Sequence, residues 1–93
     1  MTNLRNKVAL ITGSGRGIGK AIAERYASLG ADIAVNYTSD KAAAEATVSS
    51  LQAYGVKAIA IQADISQVAE VRKMFQIALQ ELGKIDIVVA NAG

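Results

Sequence analysis

The chain has no cysteine, no histidine, no proline and no tryptophan in its 93 residues, and its aromatic content is one phenylalanine and three tyrosines. Without cysteine it can form no disulfide and carries no thiolate nucleophile. Without cysteine and histidine together it has no imidazole base and no Cys/His zinc site, so much of the usual catalytic repertoire is excluded and no metal site is expected. No apolar run approaches the roughly 20 residues that a membrane-spanning helix needs. The N-terminus carries Arg5 and Lys7 but no apolar segment followed by a cleavage-like site, so no secretory signal is read and the default address is the cytoplasm. A net charge of +2, with lysine and arginine scattered singly, makes no basic patch, which argues against a nucleic-acid partner.

What is present is apolar patterning. Hydrophobic residues make up 52 % of the chain, which places it among globular proteins. At this length one domain, residues 1–93, is the upper limit, and it would bury only roughly 60 to 65 % of its unfolded surface. Residues 8–12 form a short β-branched and aliphatic run ending at glycine, which suits a strand buried on both faces. In 17–29 the apolar residues Ile18, Ile22, Tyr26 and Leu29 recur at helical spacing, and Gly30 would end that helix. A second strand is expected at 32–37. Asp40 would then cap an alanine-rich helix with Ala44, Val48 and Leu51 inward, closed by Gly55. A third strand at 56–62 follows, then a helix capped by Ser66 and ended by Gly83. Its apolar stripe is Val68, Val71, Phe75, Ala78, Leu79 and Leu82. Residues 85–90 make a fourth strand.

Strands alternating with helices of this length predict an α/β fold: a Rossmann-type, doubly wound parallel sheet of order 3-2-1-4 with three helices. The first two helices would share one face and the third would lie alone on the other. That second face and the fourth strand, an almost wholly apolar edge, would be under-covered, so the chain reads as part of a larger body that lacks its C-terminal half.

The segment "TGSGRGIG", residues 12–19, is the feature with chemical content. A glycine-rich loop between a strand and a helix start offers backbone N–H groups and the positive end of the helix dipole to an anion. Three motifs compete for it. The phosphate-binding loop G-x-x-x-x-G-K-[ST] fails because Ser14 and Ala21 occupy the first glycine and hydroxyl positions. A nucleophile elbow G-x-S-x-G fails because Thr12 and Arg16 flank Ser14. The literal G-x-G-x-x-G also fails, since Gly13 and Gly15 are followed by Ile18. The pattern that fits is T-G-x-x-x-G-x-G on Thr12, Gly13, Gly17 and Gly19.

With "TGSGRGIG" after the first strand, Asp64 in "ADI" after the third and "NAG" (Asn91, Ala92, Gly93) after the fourth, the whole chain resembles the N-terminal part of the short-chain dehydrogenases/reductases. It is most similar to their 3-oxoacyl-carrier-protein reductase branch. The resemblance implies an oxidoreductase that moves a hydride between a nicotinamide cofactor and a carbonyl/alcohol pair such as a 3-oxoacyl thioester, with the acyl group on a carrier protein as one form of substrate. It further implies a homo-oligomer.

Carried over residue by residue, Gly13, Gly17 and Gly19 admit the pyrophosphate, although a tight turn that only glycine fits would explain them equally. Ser14, Gly15 and Ile18 add contacts, with the Ile18 N–H near a phosphate, while Thr12 ties down the strand end. Asp64 accepts from the adenine amino group, Ile65 flanks the ring, and Asn91, Ala92 and Gly93 border the adenosine side. Asp86 belongs to the shared pattern but is expected to be structural. The second strand ends Asn36-Tyr37-Thr38-Ser39 where NAD-binding relatives carry an acid, so a 2′-phosphate would meet no negative charge. Arg16 could pair with this phosphate through its planar fork, with Thr38 or Ser39 adding hydroxyl donors. The expected cofactor is therefore NADP(H) in preference to NAD(H). Tyr37 and Lys41 have the family's catalytic Tyr-x-x-x-Lys spacing, but Asp40 would start a helix between them and Glu24 stands where the serine belongs. No residue of the 93 is a catalytic candidate, and the chain alone should be inactive. The alternative is a nucleotide-binding half-domain that assembles with another chain without catalysis.

Overall fold

A computed structural model describes residues 3–91. The chain runs β1 (Val8–Ile11), α1 (Gly17–Ser28), β2 (Asp32–Tyr37), α2 (Lys41–Gln52), β3 (Ala58–Gln62), α3 (Val68–Leu82) and β4 (Ile87–Val89). The four strands form one parallel sheet in the order β3-β2-β1-β4. This is the expected Rossmann-type arrangement. β3 and β4 are shorter than their apolar runs, because Val56 and Ile85 lie beyond the paired stretch of each edge strand.

Alternation along the strands sends side chains to two separate cores. Ala9, Ile11, Ile33, Val35 and Ala58 pack with Ala23 and Ala27 of α1 and Ala44 and Leu51 of α2. Leu10, Ala34 and Ile61 point the other way, onto Met74 and Ala78 of α3. The central strands β1 and β2 are buried on both faces, which is why their sequences are continuous aliphatic runs.

The helices meet the sheet through smaller residues than the apolar spacing predicts. The buried positions of α1 are Gly19, Ala23 and Ala27, with Ile22 and Tyr26 beside the contact and Ile18 75 % exposed. Close approach of helix to sheet requires small side chains at the centre of the contact, so the larger apolar residues flank it. In α2 the fully buried positions are Ala44, Thr47 and Leu51, and Val48 packs against the same core partly buried, as expected. In α3, Met74 and Ala78 are buried, while Val68 and Leu79 are exposed. The stripe of α3 is wider than the strip of sheet beneath it.

Of the two helix N-caps expected from the sequence, one forms. Asp40 accepts from the Ala43 N–H at 3.0 Å and so caps α2. α3 starts one residue later than expected, at the extended Gln67, because Ser66 is occupied with Asp64: its N–H and its hydroxyl both donate to Asp64 Oδ1, at 2.9 and 2.6 Å. At the opposite edge of the sheet, Asp86 Oδ2 accepts from the Val8 N–H at 2.9 Å and pairs with Lys84 at 3.1 Å. Asp86 is therefore structural, as expected. The Val8 N–H, with Lys84 assisting, holds its carboxyl below the usual carboxylate range.

Two outcomes follow from this packing. Leu51→Ala empties a fully buried site and should cost about 2–5 kcal/mol in urea unfolding, whereas Leu79→Ala, at a half-exposed position, should cost less than about 1 kcal/mol; equal costs would contradict the placement of these residues. Because the folded-state value of Asp86 is lowered, its stabilising contribution is complete above the unfolded value of about 3.9 and is lost as pH falls through the folded one. Asp86→Asn should therefore lower the melting temperature at pH 7 and converge with wild type as the pH drops below about 4. A gap that persists undiminished in acid would mean that the carboxylate charge is not what matters.

Candidate cofactor site

The C-terminal ends of β1 and β2 meet at the glycine loop, and Asn36 in β2 joins them. It is 1 % exposed. Its Oδ1 accepts from the Gly13 N–H at 3.0 Å, and its Nδ2 donates to the carbonyls of Ala63 and Ile61 at 3.2 and 3.4 Å. One side chain thus fixes the loop that follows β1 to the segment that follows β3. A buried amide has to be satisfied on both ends, and here the oxygen is satisfied at the loop after β1 and the nitrogen at the end of β3.

Ser14 completes that junction from the loop side. Its Oγ donates to the Ile11 carbonyl at 2.6 Å and accepts from the Asn36 N–H at 3.2 Å, while its own N–H donates to the Asn36 carbonyl at 3.0 Å. Ser14 was expected among the cofactor contacts. It is wholly buried, with hydroxyl and amide both turned into the protein, so its part is to shape the loop.

The loop then closes tightly on the start of α1. A Cβ on Gly19 would overlap the Gly13 carbonyl oxygen and stand 2.7 Å from Asn91 Nδ2 and 2.8 Å from the Ser14 Cα. Only glycine lets the helix start this close to the strand end. Gly17 has φ +64° and nothing nearby, so its requirement is conformational. Asn91 donates from Nδ2 to the Gly13 carbonyl at 3.2 Å and from its N–H to Thr12 Oγ1 at 2.9 Å, which binds the end of β4 to the same loop. Thr12 acts on the strand end, as its type suggested. Ala92 and Gly93 lie outside the described residues.

The start of α1 is left open. Arg16, its extended N-cap residue, makes no side-chain capping bond, and the first turn holds no acidic residue. Gly17, Ile18 and Gly19 thereby present first-turn amides with no capping oxygen at the positive end of the helix. Arg16 itself is exposed, and among the described residues it forms no ion pair. A cavity of about 170 Å³ lies beside it, lined by Gly13, Gly15, Arg16, Asn36, Tyr37 and Thr38, and extending to Ser39, Asp40 and Ala43. The expected Arg16, Tyr37, Thr38 and Ser39 are thus brought to one place.

Asp40 corrects one expectation. The strand end carries no acid, but the cap of α2 faces the loop across the cavity, so one carboxylate does line it. Its Oδ1 is turned to the Ala43 N–H. Asp64 lies further along the C-terminal edge of the sheet, after β3. The Ser66 hydroxyl, and then the Ser66 N–H, hold its carboxyl below the usual range, so it is an ionised acceptor at neutral pH. The Asp64 N–H donates to Glu70 Oε1 at 2.9 Å, which fixes the turn before Ile65. Tyr37 and Lys41 do not form a catalytic pair, since Tyr37 ends β2 and Lys41 opens α2 beyond the Asp40 cap.

Two residues that hold the site were not singled out from the sequence. Asn36 is a polar residue inside the aliphatic run of β2, a position where asparagine is disfavoured unless it has a task. Thr47 shares the spacing of Ala44 and Leu51 on α2, and its Oγ1 donates to the Gly15 carbonyl at 2.7 Å.

This geometry has close counterparts. A hydroxynaphthalene reductase-like protein of Metarhizium acridum is 53 % identical over 91 residues, covering 98 % of this chain and 34 % of that protein. The crystal structure of a short chain dehydrogenase from Burkholderia cenocepacia J2315 in complex with NADP superposes with a TM-score of 0.94 at 44 % identity, over 99 % of this chain and 38 % of the other. A blue fluorescent protein from a metagenomic library, in complex with NADPH, gives a TM-score of 0.94 at 49 % identity and the same coverage. The chain spans a little over a third of the length of the curated relatives it matches. The family model for short chain dehydrogenases matches residues 7–93, and with the sheet order, the glycine loop and the strand-end residues in place, the chain belongs to that family.

Proposed function

We propose that this chain is the part of an NADP(H)-dependent oxidoreductase that binds the adenosine diphosphate end of the cofactor. The observation that carries this reading is the start of α1: its N-cap side chain makes no capping bond and its first turn holds no acid, and Arg16, which forms no ion pair among the described residues, stands beside the cavity with Thr38 and Ser39. An anion is what such an end accommodates, and the two diphosphate charges of a dinucleotide suit it.

In this reading Gly17, Ile18 and Gly19 donate amides to the pyrophosphate. Arg16 meets a 2′-phosphate with its planar fork, with Tyr37 walling the cavity and Thr38 or Ser39 adding hydroxyl donors. The Asp40 carboxylate is the one unfavourable charge there, partly quenched by its bond to the Ala43 N–H. Gly13, Ser14 and Gly15 give the loop its path. Asp64, kept ionised by Ser66, accepts from the adenine amino group, with Ile65 against the ring and Asn91, Ala92 and Gly93 bordering the adenosine. When bound, the nicotinamide supplies a hydride for a carbonyl or takes one from an alcohol. The structural neighbours bound to NADP and NADPH support the choice of cofactor, and the hydroxynaphthalene reductase-like relative supports carbonyl reduction.

The substrate class we propose is a small carbonyl/alcohol pair such as a 3-oxoacyl thioester, free or on a carrier protein, handled in the cytoplasm by a homo-oligomer. Oxidation of NADPH on adding an acetoacetyl thioester to the protein as its host produces it tests it, since the 93 residues alone are expected to be inactive. Binding of NADPH without turnover would favour the half-domain that assembles with a second chain.

Arg16→Ala should weaken NADPH binding about tenfold to a hundredfold in a fluorescence titration while leaving NADH little changed, as expected for loss of a charge-assisted bond. Equal losses would remove Arg16 from the 2′-phosphate. Asp64→Ala should weaken both dinucleotides alike, by about tenfold, because adenine is common to them; a change in their ratio would place Asp64 elsewhere.

A further inference from the structure

Thr47 is fully buried in the middle of α2, and its hydroxyl leaves its own helix to reach the glycine loop. A threonine in a helix has an acceptor nearby in the preceding turn, and Ser50 of the same helix takes that course, donating to the Ala46 carbonyl at 3.2 Å. Thr47 donates instead to the Gly15 carbonyl at 2.7 Å.

The consequence lies in the peptide that joins Gly15 to Arg16. No cis peptide bond is present among the described residues, and across a trans peptide the C=O and the following N–H point in opposite directions. Drawing the Gly15 carbonyl towards α2 turns the Arg16 N–H away from that helix. It also fixes the orientation of the Arg16 Cα, which is extended at φ −161° and ψ 175°. The Arg16 carbonyl accepts from the Lys20 N–H at 3.3 Å, but among the described residues its guanidinium forms no ion pair. The same contact ties the loop to α2, whose first turn supplies Asp40 and Ala43 to the cavity.

We infer that Thr47 is a positioning residue for cofactor choice: by fixing the Gly15–Arg16 peptide it aims Arg16 at a 2′-phosphate and so favours NADPH over NADH. This rests on the NADP(H) reading given above. Thr47 acts through Arg16, so removing its hydroxyl matters only for the dinucleotide that Arg16 distinguishes.

The test is titration of NADPH and NADH into the protein as its host produces it, in wild type, Thr47→Val, Thr47→Ser, Arg16→Ala and the Thr47→Val/Arg16→Ala pair. Thr47→Val keeps the shape and loses the hydroxyl, and should raise the NADPH dissociation constant about tenfold with less than about a twofold change for NADH. Thr47→Ser should retain the wild-type preference. In the Arg16→Ala background Thr47→Val should add nothing, because the two residues act in series. Equal loss for both dinucleotides, additive losses in the double variant, or a Thr47→Ser protein without the preference each overturns the inference. If Thr47→Val does not fold, the Thr47→Ser protein decides: retained preference supports the role and lost preference overturns it. A wild-type protein that binds neither dinucleotide removes the cofactor reading itself, whereas one that binds NADPH while Thr47→Val matches it removes only the role of Thr47.

Discussion

The amide of Asn36 is the interaction on which the rest of the site depends. Its oxygen accepts from the Gly13 N–H and its nitrogen donates to carbonyls at the end of β3, so three strand ends are held at one level. Parallel strands have no hairpin to align them, and the loops at their C-terminal ends are free to diverge unless something pins them. A buried amide with every partner satisfied supplies that pin. Its cost on losing any one partner is the desolvation of a group that cannot reach water.

From that junction the remaining geometry follows in order. Ser14 locks the loop to the Asn36 backbone, Gly19 lets the helix start against Gly13, and Asn91 closes the same point from β4. The helix begins before any side chain can cap it. Its uncapped amides, and an Arg16 that forms no ion pair among the described residues, are what the proposed anion site rests on. The buried polar side chains Ser14, Asn36 and Thr47 are turned inward and give the loop its shape.

The strand order and the two-faced packing were legible because periodicity and crossover handedness admit few alternatives. So was the gathering of Arg16, Thr38 and Ser39, since a strand end and a helix start must meet in this fold. Less legible was which helical residue lies at the centre of each contact. Ile18 fits the apolar spacing yet is exposed, because close packing of α1 favours Gly19, Ala23 and Ala27 over larger neighbours, and Val68 at the start of α3 is exposed as well. The direction of a short polar side chain was also hidden. Ser14 could have faced a phosphate or the core, and only the position of Asn36 decides between them. Thr47 was hidden for the same reason, since its acceptor lies 32 residues away in sequence.

The central claim is that the start of α1 receives the phosphates of NADPH. Amide nitrogen and proton NMR shifts, followed while NADPH is added, test it most directly. The account predicts that the largest changes fall on Arg16, Gly17, Ile18 and Gly19, with smaller ones at Thr38 and Ser39, and that the buried Ser14 amide moves little. Saturable shifts centred elsewhere, or none at these residues at concentrations where NADPH binds, would contradict it.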